Sequence, residues 1–127
     1  DYWNHVLSHF PDVSVHIVLT VRSPHAIASS YLAHDARSRR IEDAYDLIAA
    51  YYSSLVQVQE SWKGPLSVVR FTPEHYAGDL RTALEACGVP FDESAITGAY
   101  DPARIGGESL KVDHPVEGMY ELFLDMS

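Results

Sequence analysis

The sequence predicts an α/β fold in which parallel strands are joined by helices. Three observations carry this reading. Val15, Ile17, Val18, Leu19 and Val21 form an apolar, β-branched-rich run inside residues 14–22, as expected for a strand covered on both faces. Leu66-Ser-Val-Val-Arg-Phe71, entered from the Gly64-Pro65 turn, is read as a second strand, 66–71. The segment between them, Ser23 to Pro65, is long and mostly helical, which suits a parallel crossover, right-handed by the general rule.

The elements follow in order. Asp1-Tyr-Trp-Asn-His5 opens the chain inside a helix. The first strand ends on Arg22, and Ser23-Pro24 then starts a helix at once. Serine suits the N-cap, and proline suits the first turn, where no backbone N–H is required. Ligands of open α/β sheets bind outside the carboxyl ends of the strands, and a helix N-terminus there favours an anion. Arg22 is therefore a candidate phosphate ligand. Ser30 lies seven residues after Ser23, about two helical turns, so the two serines share a face. A phosphate beside that face could meet the Arg22 guanidinium and the Ser30 hydroxyl together. Arginine suits the task because its planar fork gives parallel charge-assisted hydrogen bonds.

Ile41 to Trp62 reads as a long helix, with Ile41, Tyr45, Ile48, Tyr52 and Leu55 on one apolar face. Tyr45, Tyr51 and Tyr52 at this spacing are read as core, ahead of base stacking. Gly64-Pro65 ends the helix and turns into the second strand. Pro73-Glu-His-Tyr76 starts a short helix, Leu80 to Cys87 is the next, and Gly88-Val-Pro-Phe91 closes it. Past Gly106-Gly107 the pattern weakens. Leu110 to Pro115 reads as loop, and Val116, Met119, Tyr120, Phe123 and Leu124 mark a terminal amphipathic helix. That helix is expected to pack on a missing half of the fold or on a second copy.

At 127 residues a single domain, 1–127, is the default. Apolar residues make 46% and charged residues 21%, close to globular averages. No stretch approaches the length of a membrane span, and no signal sequence opens the chain. The lone Cys87 excludes an internal disulfide, so a cytoplasmic location is expected. The net charge of −9 argues against general nucleic-acid binding and against anionic membranes. A nucleotide site depends instead on local charge, which Arg22, Arg37, Arg39 and Arg40 supply.

Other chemistry is weaker. Seven histidines include His5 and His9 on one helix face, but no third zinc ligand accompanies them, and no metal site is expected. Ser29 and Ser30 lie inside a helix without a Gly-x-Ser-x-Gly elbow, which argues against a serine hydrolase. His25 and His34 flank that helix and read as surface residues.

Arg22-Ser-Pro with Ser30-Tyr31 resembles the 3′-phosphate-binding motif of sulfotransferases that use 3′-phosphoadenosine 5′-phosphosulfate (PAPS), most closely the bacterial sulfotransferase family. The order of elements extends the resemblance over residues 1 to 105, through Trp3, Val68-Val-Arg-Phe71, Gly88-Val-Pro-Phe91 and Tyr100-Asp-Pro-Ala-Arg104. The family's acidic turn after the second strand departs here to Thr72-Pro-Glu74.

The resemblance implies a partial P-loop-NTPase-like three-layer sandwich, the C-terminal portion of a sulfotransferase-like domain. The family's Gly- or Ser-rich phosphate loop does not appear in the sequence, and two strands are few for a stable parallel sheet. The implied activity is transfer of a sulfuryl group from PAPS to an acceptor hydroxyl or amine, on a small molecule or a glycan. Arg22 and Ser30 would bind the donor's 3′-phosphate, no catalytic residue is assigned, no metal is needed, and the chain alone is expected to be inactive. Two other readings stand beside it. One is a fragment of a P-loop kinase. The other is a non-catalytic sulfotransferase-like interaction domain, whose partner would be an N-terminal half or a second copy.

Overall fold

The computed structural model describes residues 2–34, 40–99, 101 and 110–126. It is an α/β arrangement of two parallel strands and six helices among those residues. In chain order these are α1 (Tyr2–Ser8), β1 (Ile17–Val21), α2 (Pro24–His34), α3 (Ile41–Ser61), β2 (Leu66–Arg70), α4 (Tyr76–Ala86), α5 (Glu93–Ala99) and α6 (Val116–Leu124). Arg37, Arg39, Tyr100, Ala103, Arg104, Gly106 and Gly107 lie outside the described residues.

The strands pair in register from Ile17 opposite Leu66 to Val21 opposite Arg70. Both are shorter than the sequence pattern. Pro65 has no N–H to extend the ladder, so pairing starts where its carbonyl accepts the Ile17 N–H at 3.1 Å. Val15 and His16 therefore precede the strand. At the other end the Phe71 N–H still reaches the Val21 carbonyl at 2.6 Å.

One face of the sheet carries the core. Leu19, Val21 and Val68 pack there with Ala28 of α2, with Ala44, Ile48 and Tyr52 of α3, and with Val116, Tyr120 and Phe123 of α6. On the opposite face α4 packs on β2, where Val69 is fully buried. The neighbouring positions of β1 are open: Val18 is 37% exposed and Thr20 is exposed. The expectation that the first strand is covered on both faces thus fails for β1. An apolar run reports burial potential, and α4 is positioned to cover only the strand it follows.

The terminal helix also differs from expectation. α6 packs on α3 and β2 of this same chain, with Val116 and Phe123 fully buried. Its apolar stripe was readable; its partner was a tertiary matter. The two short helices expected around Pro73 and Leu80 are one, α4, preceded by a turn at Pro73 to His75. It ends in a Schellman motif. Gly88 adopts φ +71°, its N–H bonds the Glu85 carbonyl at 3.0 Å, and the Val89 N–H reaches Leu84 at 2.9 Å.

At the start of α3 the Asp43 carboxylate accepts the Arg40 N–H at 3.2 Å. At its end the Trp62 indole N–H donates to the Pro65 carbonyl at 3.0 Å, with the ring laid against Gly64. No helix among the described residues is long and apolar enough to cross a membrane.

Candidate functional site

Arg22 stands one residue past the C-terminal end of β1. Its backbone is held from α3: the Arg22 N–H donates to the Tyr52 hydroxyl at 3.1 Å, and that hydroxyl donates to the Arg22 carbonyl at 2.5 Å. Tyr52 is 1% exposed, so this clamp is built into the core. Burial pushes the Tyr52 phenol well above its ordinary range, against the smaller opposing effect of the Arg22 amide bond. The hydroxyl therefore stays protonated and keeps donating.

Ser23 caps α2 as expected. It is 2% exposed, and its Oγ accepts the Ala26 N–H at 3.2 Å. With that bond the serine that shares a helix face with Ser30 works as a cap.

A cavity of about 250 Å³ opens at the carboxyl ends of the two strands. Thr20, Val21 and Arg22 form one side, Ile27 of α2 and Tyr51, Tyr52 and Leu55 of α3 another, and Phe71 closes it just past β2. The Arg22 guanidinium carbon lies 5.9 Å from the Phe71 ring centroid, within cation–π range. Phe71 is steadied in turn by an edge-on contact with Tyr76 at 4.9 Å. A cation beside an aromatic wall in a cavity of this size can hold one phosphate and the edge of a planar group. Phe71 was not singled out from the sequence; its place directly after a strand that ends beside Arg22 was the available signal.

A second cavity of about 350 Å³ adjoins the first. Its wall is Ile27 and Tyr31 of α2 with Ala44, Leu47, Ile48 and Tyr51 of α3, and Ile27 and Tyr51 belong to both cavities. Tyr51 is 66% exposed, which corrects its reading as a core residue; Tyr52 is core and Tyr45 is half-buried.

Ser30 is half-buried on α2 and is not part of the wall of either cavity. Arg40 is exposed at the start of α3, with Glu42 at 3.8 Å, and does not reach the Arg22 cavity. His25 bridges the helices: its Nδ1 lies 3.2 Å from the Tyr45 hydroxyl and its Nε2 lies 3.3 Å from Ser29 Oγ. His34 and Ser29 are exposed. Among the described residues no group of three or more metal-ligating side chains comes together.

Beside the cavity, Arg70 closes β2 with a bidentate pair to Asp79 of α4, at 2.8 and 2.9 Å, and its N–H adds a third bond at 2.9 Å. The Arg70 hydrogen bonds hold the Asp79 carboxyl below the usual carboxylate range. This arginine fixes α4 on β2, and Arg22 lines the cavity. Comparison with protein families, with curated proteins and with solved structures finds no match.

Proposed function

We propose that this chain carries the donor 3′-phosphate half-site of a PAPS-dependent sulfotransferase. The observation that carries the reading is Arg22, clamped by Tyr52 at the carboxyl end of a parallel strand and lining a cavity with an aromatic wall. In this reading Arg22 pairs with the 3′-phosphate through its planar fork. Phe71 offers its face to the adenine base, and Ser30, which stands on α2 outside the cavity wall, is assigned as the second phosphate contact from the resemblance of its motif. The two parallel strands and their helices belong to a partial P-loop-NTPase-like three-layer sandwich.

The reaction served is sulfuryl transfer. The bond between sulfur and the 5′-phosphate oxygen breaks, a bond from sulfur to the acceptor oxygen or nitrogen forms, and a base takes the acceptor proton. The protein contributes positioning and charge stabilisation, as in phosphoryl transfer. Recognition of the 3′-phosphate separates this donor from AMP-like and ATP-like nucleotides. The acceptor is a small molecule or glycan, no metal takes part, and the setting is the cytoplasm.

Calorimetric titration of adenosine 3′,5′-bisphosphate tests the reading, with AMP and Arg22→Ala as controls. Binding that needs both the 3′-phosphate and Arg22 supports it. Absence of binding by the folded chain overturns it for this chain.

One observation favours a second reading, a sulfotransferase-like interaction domain. Val18 and Thr20 leave one face of β1 open, while Val69 on the same face of β2 is buried. A partner layer packed on that face would cover them, and hydrogen exchange of the β1 amides with and without that partner would reveal it.

A further inference from the structure

We infer that the Arg22 cavity and the groove between α2 and α3 form one continuous site for a small anion bearing an aryl or alkyl group, and that such ligands compete with the nucleotide. The inference rests on Arg22 as an anion contact, not on the nucleotide itself. The two cavities share Ile27 and Tyr51 in their walls, so they adjoin along those two side chains. They differ in chemistry. The first holds Arg22, with Thr20 beside it; the second is walled almost wholly by carbon, from Tyr31, Ala44, Leu47 and Ile48. A cationic end and an apolar end in series match an amphiphilic anion.

Charge selects the same occupant. The chain carries 18 acidic residues and a net charge of −9, yet no carboxylate lines either cavity among the described residues. A chain of this net charge repels an anion at long range, and the two cavity walls add no carboxylate to that repulsion. Leu47 and Tyr51 are 55% and 66% exposed on the outer rim, apolar surface that a tail would cover. The groove is too narrow in chemistry for a sugar or a free phosphate, since its inner end offers no hydrogen-bonding wall beyond the two tyrosine hydroxyls.

The test uses the whole chain with 1-naphthyl phosphate, 1-naphthol and inorganic phosphate, read by amide shifts in NMR and by calorimetry. The expected result is that 1-naphthyl phosphate binds at least tenfold more tightly than either half alone, shifting both Arg22 and Leu47 amides. It should also be displaced by adenosine 3′,5′-bisphosphate. Leu47→Glu, at an exposed position, should weaken 1-naphthyl phosphate tenfold or more and leave adenosine 3′,5′-bisphosphate unchanged. Equal affinity for naphthyl phosphate and inorganic phosphate overturns the tail groove. Equal affinity for naphthol overturns the anion contact. Failure of the nucleotide to bind while naphthyl phosphate binds through Arg22 and Leu47 overturns the donor reading and leaves this site standing.

Discussion

The Tyr52 hydroxyl closes a two-way hydrogen-bonded clamp on the backbone of Arg22, thirty residues away in sequence, accepting from its N–H and donating to its carbonyl. The strand end that carries the candidate phosphate ligand is thereby held by the deepest aromatic side chain of α3. Loss of the hydroxyl leaves two backbone groups without partners in a half-buried place. Tyr52→Phe should cost about 1–3 kcal/mol in urea unfolding and should also weaken nucleotide binding. The pH dependence has a definite sign. Tyr52 has a raised folded pKa, so its contribution is complete below the ordinary phenol value near 10 and declines as pH rises through it. Tyr45 and Tyr120 are raised too, by burial first. Tyr52→Phe should therefore reduce, not abolish, the alkaline loss of stability; an unchanged alkaline limb would refute the role given to Tyr52.

The Arg70–Asp79 pair makes the acid counterpart. Asp79 has a lowered folded pKa, caused first by the Arg70 side-chain hydrogen bond. Its contribution is present above the ordinary carboxylate range and is lost as pH falls through the folded value. Asp79→Asn should cost about 1.5–3 kcal/mol at neutral pH, and the gap to the parent chain should close in acid as the parent carboxylate takes up its proton. Parallel unfolding curves at neutral and acid pH check this, and a gap that does not close would count against it.

How much of this could be read ahead depends on whether the controlling interaction is local. The Ser23 cap, the end of α3 at Gly64-Pro65 and the α4 stop at Gly88 are set by residues within one turn, and the structure has them where the sequence pattern put them. The strand ends are not local. Ile17 begins β1 because Pro65 limits its partner, a fact stored some fifty residues away. Tyr51 and Tyr52 are chemically alike and adjacent, yet one faces solvent and the other the core. Only the orientation of α3 decides between them. In the same way Arg22 was readable as a strand-end cation, while its clamp and its Phe71 wall appear only once α3 and β2 are docked.

Gly88 is the clearest single-residue constraint. At φ +71° a side chain is strained whatever the space, and nothing lies within 4 Å of an added Cβ. Gly88→Ala should cost about 1–2 kcal/mol through backbone conformation alone. The loss should appear in thermal unfolding with nucleotide binding unchanged, because Gly88 follows the C-terminal end of α4, whereas Tyr76 at its other end is the residue that touches Phe71. A neutral substitution would show that the left-handed turn is not required.

The two serines of α2 separate structure from binding. Ser23 is buried with its hydroxyl committed to the Ala26 N–H, so Ser23→Ala should lower stability by about 1 kcal/mol. Any effect on phosphate affinity would then be indirect, through fraying of the first turn. Ser30 is half-buried, and no helix cap depends on it. Ser30→Ala should leave the unfolding midpoint nearly unchanged. As a charge-assisted contact, its hydroxyl should be worth about 1.5–3 kcal/mol to a bound 3′-phosphate, measured as affinity for adenosine 3′,5′-bisphosphate relative to AMP. If Ser30→Ala binds both nucleotides as the parent chain does, Ser30 is not a phosphate ligand, and the half-site reduces to Arg22 and the cavity beside it.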